Sequence, residues 1–230
     1  MKQKETSLNI PLNNDFNLDD FAEDHFGTSY DTPLRPDAFE LDDKQKIEII
    51  ESHFREIMTT LGLDLTDDSL KGTPARVAKM YVKEIFSGLN PANKPVARLF
   101  ENKYNYQEML VEKDITFYSN CEHHFVPIIG KAHVAYISSG KVIGLSKINR
   151  IVQYFAKRPQ VQERLTVQIA NELKKALKTE DVGVVIDATH LCVSSRGIGD
   201  TNSSTGTANF SGRFNEEKVR SEFLNYINAR

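Results

Sequence analysis

Cysteine and histidine are scarce in this chain, with two cysteines and six histidines in 230 residues. They gather in two short segments. Cys121, His123 and His124 fall in Ser119–Pro127, read S-N-C-E-H-H-F-V-P; His190 and Cys192 fall in A-T-H-L-C-V-S-S-R-G. Cys121 and His124 have C-x-x-H spacing, which suits one chelating turn, and Cys192 could close the set. Two thiolates and one imidazole give zinc three protein ligands and leave a fourth position open. An open position means bound water of lowered pKa, a hydrolytic nucleophile near neutral pH. A structural zinc would want four ligands. His123 could replace His124, since spacing alone does not choose, and His190 stands two residues from Cys192. Two spare histidines then remain for proton transfer. The bland alternative is a pair of buried thiols beside chance histidines, because C-x-x-H is a short motif.

The segments that must position these residues read as strands. Residues 111–119 alternate with period two, 130–139 alternate again, and Gly140-Lys141 marks a turn. His133 is expected to be a structural strand histidine. Residues 182–194 read as a long strand with Val182, Val184, Ile186, Ala188, His190 and Cys192 on one face. T-A-N-F-S-G-R-F reads as a final strand. Helices surround these strands. Ile47, Ile50, Phe54, Ile57 and Leu61 recur at helical spacing, with Asp42 and Gln45 as a capping box and Gly62 as the stop. His53 lies off that stripe. A second helix starts at Thr73-Pro74 and stops at Gly88. Ser146 is expected to cap a third. Pro159 ends it and leads into a fourth, whose Val161, Leu165, Ile169, Leu173 and Leu177 make a core stripe. Asn215 is expected to cap a C-terminal helix. The order is α+β with an antiparallel sheet.

Some polar residues sit where anions bind. Arg76 lies in the first turn of the second helix, a mildly unfavourable place for a cation unless an anion offsets it. Lys147 stands in the first turn of the Ser146 helix, beside free N–H groups, and Arg150 lies one turn further on. Gln162 and Glu163, in the first turn after Pro159, read on sequence alone as capping and dipole support.

Bulk properties narrow the classes. The formal net charge is −3, which argues against a general nucleic-acid partner. No apolar run approaches the ~20 residues of a membrane span. The N-terminal residues lack a secretory core, and two cysteines make no disulfide framework, so a cytoplasmic setting is expected. Residues 1–40, His25 among them, are aperiodic and polar and are expected to form a partly disordered arm.

T-P-L-R-P near 32, D-D-S-L-K-G-T-P-A-R-V-A-K-M-Y near 67, S-N-C-E-H-H-F-V-P, G-L-S-K-I-N-R-I-V-Q-Y-F-A-K-R-P-Q-V-Q-E-R-L-T and A-T-H-L-C-V-S-S-R-G occur in order. Together they closely resemble GTP cyclohydrolase I. The resemblance implies conversion of GTP and water to 7,8-dihydroneopterin triphosphate and formate, the first step towards tetrahydrofolate. Water attacks guanine C8, the ring opens, the ribose rearranges and the pterin ring closes. It implies one zinc per subunit on Cys121, His124 and Cys192, with His123 as catalytic acid/base and His190 and Ser146 assisting. It implies that Arg196, Lys147 and Arg150 contact the triphosphate, with Arg76 reaching in from a neighbouring subunit. Glu163, with Gln162 beside it, would hold the guanine edge. The implied fold is the tunnelling fold, an antiparallel sheet with helices on one face and sheets joining across subunits into a barrel. The implied assembly is a decamer of two pentamers with sites at subunit interfaces. The catalytic domain would span 41–230, with 41–90 its helical N-terminal part and 105–230 the tunnelling-fold core.

Overall fold

The computed structural model describes residues 29–229. The expected arm lies outside the described residues over 1–28, His25 included. Residues 31–41 are turns and extended chain. Helix α1 (Asp43–Thr60) starts at the expected capping box: Asp42 accepts from the Gln45 backbone, and the Gln45 side chain accepts from Asp42 N–H. Helix α2 (Thr73–Met80) follows, continued by a wider turn over Tyr81–Ile85. Its N-cap is Gly72, not Thr73, whose hydroxyl instead accepts from Arg76.

Strands β1 (Leu99–Glu101), β2 (Met109–Cys121), β3 (Pro127–Ile137) and β4 (Lys141–Ile143) come next, then helix α3 (Leu145–Ala156). Strand β5 (Pro159–Gln160) and helix α4 (Gln162–Leu177) lead to strand β6 (Val182–His190), helix α5 (Leu191–Ser194), strand β7 (Thr205–Phe210) and helix α6 (Glu217–Asn228). β1 and β4 form a two-stranded ribbon, and the main sheet runs β5-β2-β3-β6-β7. All its pairings are antiparallel except β5 with β2, which is parallel. The sheet is therefore mixed, where an antiparallel one was expected.

Alternation gives the sheet two faces. Ile115, Phe117, Val134, Tyr136, Val184 and Ile186 pack under α3 and α4. The α4 stripe is as expected, with Leu165, Ile169 and Leu173 fully buried. Each such side chain contributes about 1.5–3 kcal/mol of burial. Met109, Ala135 and Ile137 point the other way and pack with Phe214, Val219 and Phe223. Helices were expected on one face only. α3 and α4 obey that, while α6 covers part of the other.

β2 is not regular. Glu112 pairs with Val134 but Ile115 pairs with Ala132, so Lys113 and Asp114 together oppose His133. Asp114 has φ +60. This β-bulge exchanges the faces of all later β2 residues. Before it, Leu110 packs towards α3 and α4; after it, Ile115, Phe117 and Cys121 do. His133 is 5% exposed, and its Nδ1 accepts from Asp114 N–H at 3.2 Å. It is the structural strand histidine expected from sequence.

Candidate active site

Cys121 ends β2, and the chain turns back into β3 within a few residues. Cys121 N–H donates to Val126 O (2.9 Å), Phe125 N–H to Cys121 O (2.8 Å) and the Asn120 amide to Phe125 O (3.1 Å). Phe125 takes φ +55, a left-handed conformation that a bulky residue reaches only under constraint. Its ring meets Phe86 edge-on at 5.2 Å. This tight turn sets Cys121 Sγ 3.8 Å from His124 Nδ1 and 3.7 Å from His123 Nδ1.

The second segment arrives through β6. The strand stops at His190, and Cys192 sits in the single turn of α5. A strand through 194 was expected, with His190 and Cys192 on one face. The helical turn instead carries Cys192 towards Cys121. The ligand atoms of Cys121, His124 and Cys192 lie within 4.8 Å of one another.

The donor set fits a soft divalent cation. Burial and the neighbouring Cys121 thiol push the Cys192 thiol up, a cost that a bound cation removes. Burial, then Arg196 and His123, hold the His124 imidazole below its ordinary value, so it stays neutral as a ligand must. Arg196 Nη1 reaches His124 Nε2 at 2.9 Å.

His190 lies beside this group, and its protonated atom is fixed by Gln162. The Gln162 amide nitrogen donates to Thr205 O (2.6 Å), Thr207 Oγ1 (3.2 Å) and Ile186 O (3.3 Å). Its Oε1 therefore faces His190 Nε2 at 2.7 Å, and that nitrogen carries the proton. Burial depresses the His190 pKa while Glu163 pulls it up. The neutral ring thus keeps its lone pair on Nδ1. Gln162 is 2% exposed and its side chain is committed to its own chain. Glu163, one residue on, is exposed and close enough to act on His190.

Other expected residues stand apart. Arg76 donates to Ser69 O and Thr73 Oγ1. Arg150 lines a separate cavity of about 260 Å³ with Gln153, Tyr154 and Lys157. Ser146 is exposed in the first turn of α3, whose N-cap is Gly144 rather than Ser146, and Lys147 is half-buried beside it. No hydrogen bond or ion pair found among the described residues joins these four to the Cys–His group.

Sequence reasoning passed over Arg164. It lies in the first turn of α4, is 5% exposed, and grips Glu122 with both guanidinium nitrogens at 2.5 and 3.1 Å. The available signal was a basic residue where a helix dipole favours an acidic one.

Residues 50–228 match the family model described as GTP cyclohydrolase I. A GTP cyclohydrolase 1 of Flavobacterium johnsoniae is 63% identical over 216 residues, which is 94% of this chain and 97% of that protein. Those of Vibrio parahaemolyticus and Aeromonas hydrophila are 57% and 58% identical over 195 residues, covering 84% of this chain and 89% and 88% of theirs.

Proposed function

Since the chain belongs to the GTP cyclohydrolase I family, we propose that Cys121, His124 and Cys192 are its zinc ligands and that GTP is opened beside them. The chain is a hydrolase that converts GTP to dihydroneopterin triphosphate in folate biosynthesis. The observation that carries the site assignment is the approach of two thiols and an imidazole to within 4.8 Å, with two further histidines at hand.

A zinc ion in this set supplies Lewis acidity and an open coordination position. The chain's own groups do the rest. His123, on the exposed side of the turn, handles the proton at guanine N7 as water adds to C8. His190 offers Nδ1 for the later proton transfers of ribose rearrangement and ring closure, because Gln162 occupies Nε2. Ser146 assists at the ribose. Glu163 accepts from the guanine edge, and Gln162 supports that pocket from beneath by holding His190. Arg196, already at the ligand cluster, is placed for phosphate oxygens.

Lys147, Arg150 and Arg76 complete the triphosphate pocket from neighbouring subunits, in a decamer of two pentamers. Two features support this. Within the chain Arg196 contacts His124, while Arg76 bonds Ser69 and Thr73 and Arg150 lines a separate cavity. β7 pairs with β6 alone among the described residues, leaving an edge that a neighbouring sheet can extend into a barrel. No helix among the described residues is long and apolar enough to cross a membrane. Free thiols at a metal site suit the reducing cytoplasm.

The test is incubation with GTP, read by formate release and by fluorescence of the oxidised pterin. His123→Ala should slow formate release by about 10²–10⁴-fold. Full formate release by that variant overturns its role. An active monomer in sedimentation overturns the shared site.

A further inference from the structure

A buried arginine at the start of a helix is a costly choice. Arg164 stands in the first turn of α4, where the dipole opposes a cation. Its side chain is 3% exposed and that of Glu122, its partner, 18%. A buried ion pair is a poor source of stability, since desolvation cancels most of the attraction. What a two-pronged arginine–carboxylate contact provides is fixed geometry.

Glu122 is the residue whose geometry matters. It lies between Cys121 and the two histidines, and its backbone N–H is also held, by Gln160 O at 3.0 Å. The residue is thus pinned at both ends, by α4 through Arg164 and by β5 through Gln160. Its Oε1 lies 3.9 Å from His123 Nε2, so the same carboxylate faces the proposed proton handler. We infer that Arg164 is a positioning residue for the metal centre, holding the Cys121–His124 turn in ligand geometry through Glu122. This rests on the assignment of Cys121, His124 and Cys192 as ligands.

The experiment titrates metal-free protein with Co²⁺ alone. Thiolate-to-metal absorption reports binding, and a competing chelator gives the dissociation constant. Wild type and Cys192→Ala come first. If wild type takes up no Co²⁺, or Cys192→Ala binds as wild type does, the ligand assignment itself fails, whatever Arg164 does. With that control passed, Arg164→Met separates positioning from charge. Loss of a nearby cation would by charge alone tighten Co²⁺ binding. Loss of the anchor should weaken it by about 10–100-fold, as contacts behind metal ligands commonly do. Arg164→Lys keeps the charge but not the fork and should weaken binding about tenfold. The double variant Glu122→Gln/Arg164→Met should bind no more weakly than Glu122→Gln, because Arg164 works through Glu122. Unchanged or tighter Co²⁺ binding by Arg164→Met overturns the inference. Should that variant not fold, wild-type affinity in folded Arg164→Lys overturns it equally.

Discussion

The two halves of the proposed metal centre are anchored in different ways. The Cys121 half ends a strand of 13 residues and is tied to remote parts of the chain, to Arg164 on α4 and to Gln160 on β5. The Cys192 half is a single helical turn whose own bonds are local, while its flanking residues reach further, His190 to Gln162 and Arg196 to His124. Ser195 N–H and Oγ both donate to Leu191 O, and Ser194 Oγ donates to His190 O. Residues 195–206 beyond it are all exposed. The Cys121 turn is held by a buried ion pair and a strand contact, and the Cys192 turn itself by its own backbone. A site that must admit a nucleotide and release a rearranged product gains from such asymmetry, because the looser half can move while the firmer keeps its ligands in place.

The largest effects should come from the proposed ligands. Cys121→Ser and Cys192→Ser should both lose bound metal and turnover by more than the roughly 100-fold that an outer contact is worth. They should differ in the metal-free protein. Cys121 is 6% exposed, and a hydroxyl there should cost about 1–3 kcal/mol in denaturant unfolding. The half-buried Cys192 site should cost about 0.5 kcal/mol or less. Equal losses would remove the contrast between the halves.

Gly130 tests the seam between them. It pairs with Ala188, and an added Cβ would meet the Ala188 Cβ and Asp187 O at 2.6 Å and the Phe117 ring at 2.8 Å. Gly130→Ala should destabilise by about 1–3 kcal/mol and weaken metal binding, since β6 leads directly to Cys192. Chemical denaturation with metal titration checks both.

Smaller effects should separate one left-handed residue in each half. Gly197 has φ +61 with nothing near its would-be Cβ, so Gly197→Ala should cost about 1 kcal/mol from the backbone alone. Phe125 has φ +55 and a ring contact to Phe86. Phe125→Gly should therefore be more stable than Phe125→Ala by about 1 kcal/mol, while both lose the aromatic contact. The reverse order would mean that Phe125 is not constrained.

His133, behind both halves, sets a mild acid sensitivity. Burial depresses its pKa, against partial support from Asp114 and Asp187. A depressed histidine adds stability above its unfolded value of about 6.5. That stability falls as the pH drops below this value, until the folded pKa is passed. Urea unfolding between pH 7 and 5 should show this slope, flattened in His133→Gln.

Much of this was legible in the sequence. The capping box of α1, the α4 stripe and the apolar face of β6 rest on periodicities that local chemistry imposes. The grouping of Cys121, His124 and Cys192 was partly legible too, because thiols and imidazoles are few, although spacing alone left His123 and His124 interchangeable. Three caps were misplaced, at Thr73, Ser146 and Asn215, where Gly72, Gly144 and Glu216 serve. A cap is chosen by backbone angles, and a polar residue one or two positions along looks identical in the sequence. Arg164 and the contact of Gln162 with His190 were illegible for another reason. Their partners, Glu122 and His190, are brought to them by the sheet, and no spacing along the chain records that. The bulge in β2 was missed because a period-two pattern looks the same on either side of a phase change.

That bulge makes β2 a ruler counted modulo two. Deleting one residue between Ile115 and Cys121 would deliver the Cys121 thiol to the wrong side of the sheet, although every residue type in the motif survived. Deleting two would keep the side and shorten the reach by about 7 Å. Removing Asp114 itself would erase the bulge, pair Lys113 with His133 and leave Ile115 opposite Ala132, so the later residues would keep their faces. The spacing of the site is therefore written in the parity of a strand, and strand parity admits no intermediate values through which a chain could drift.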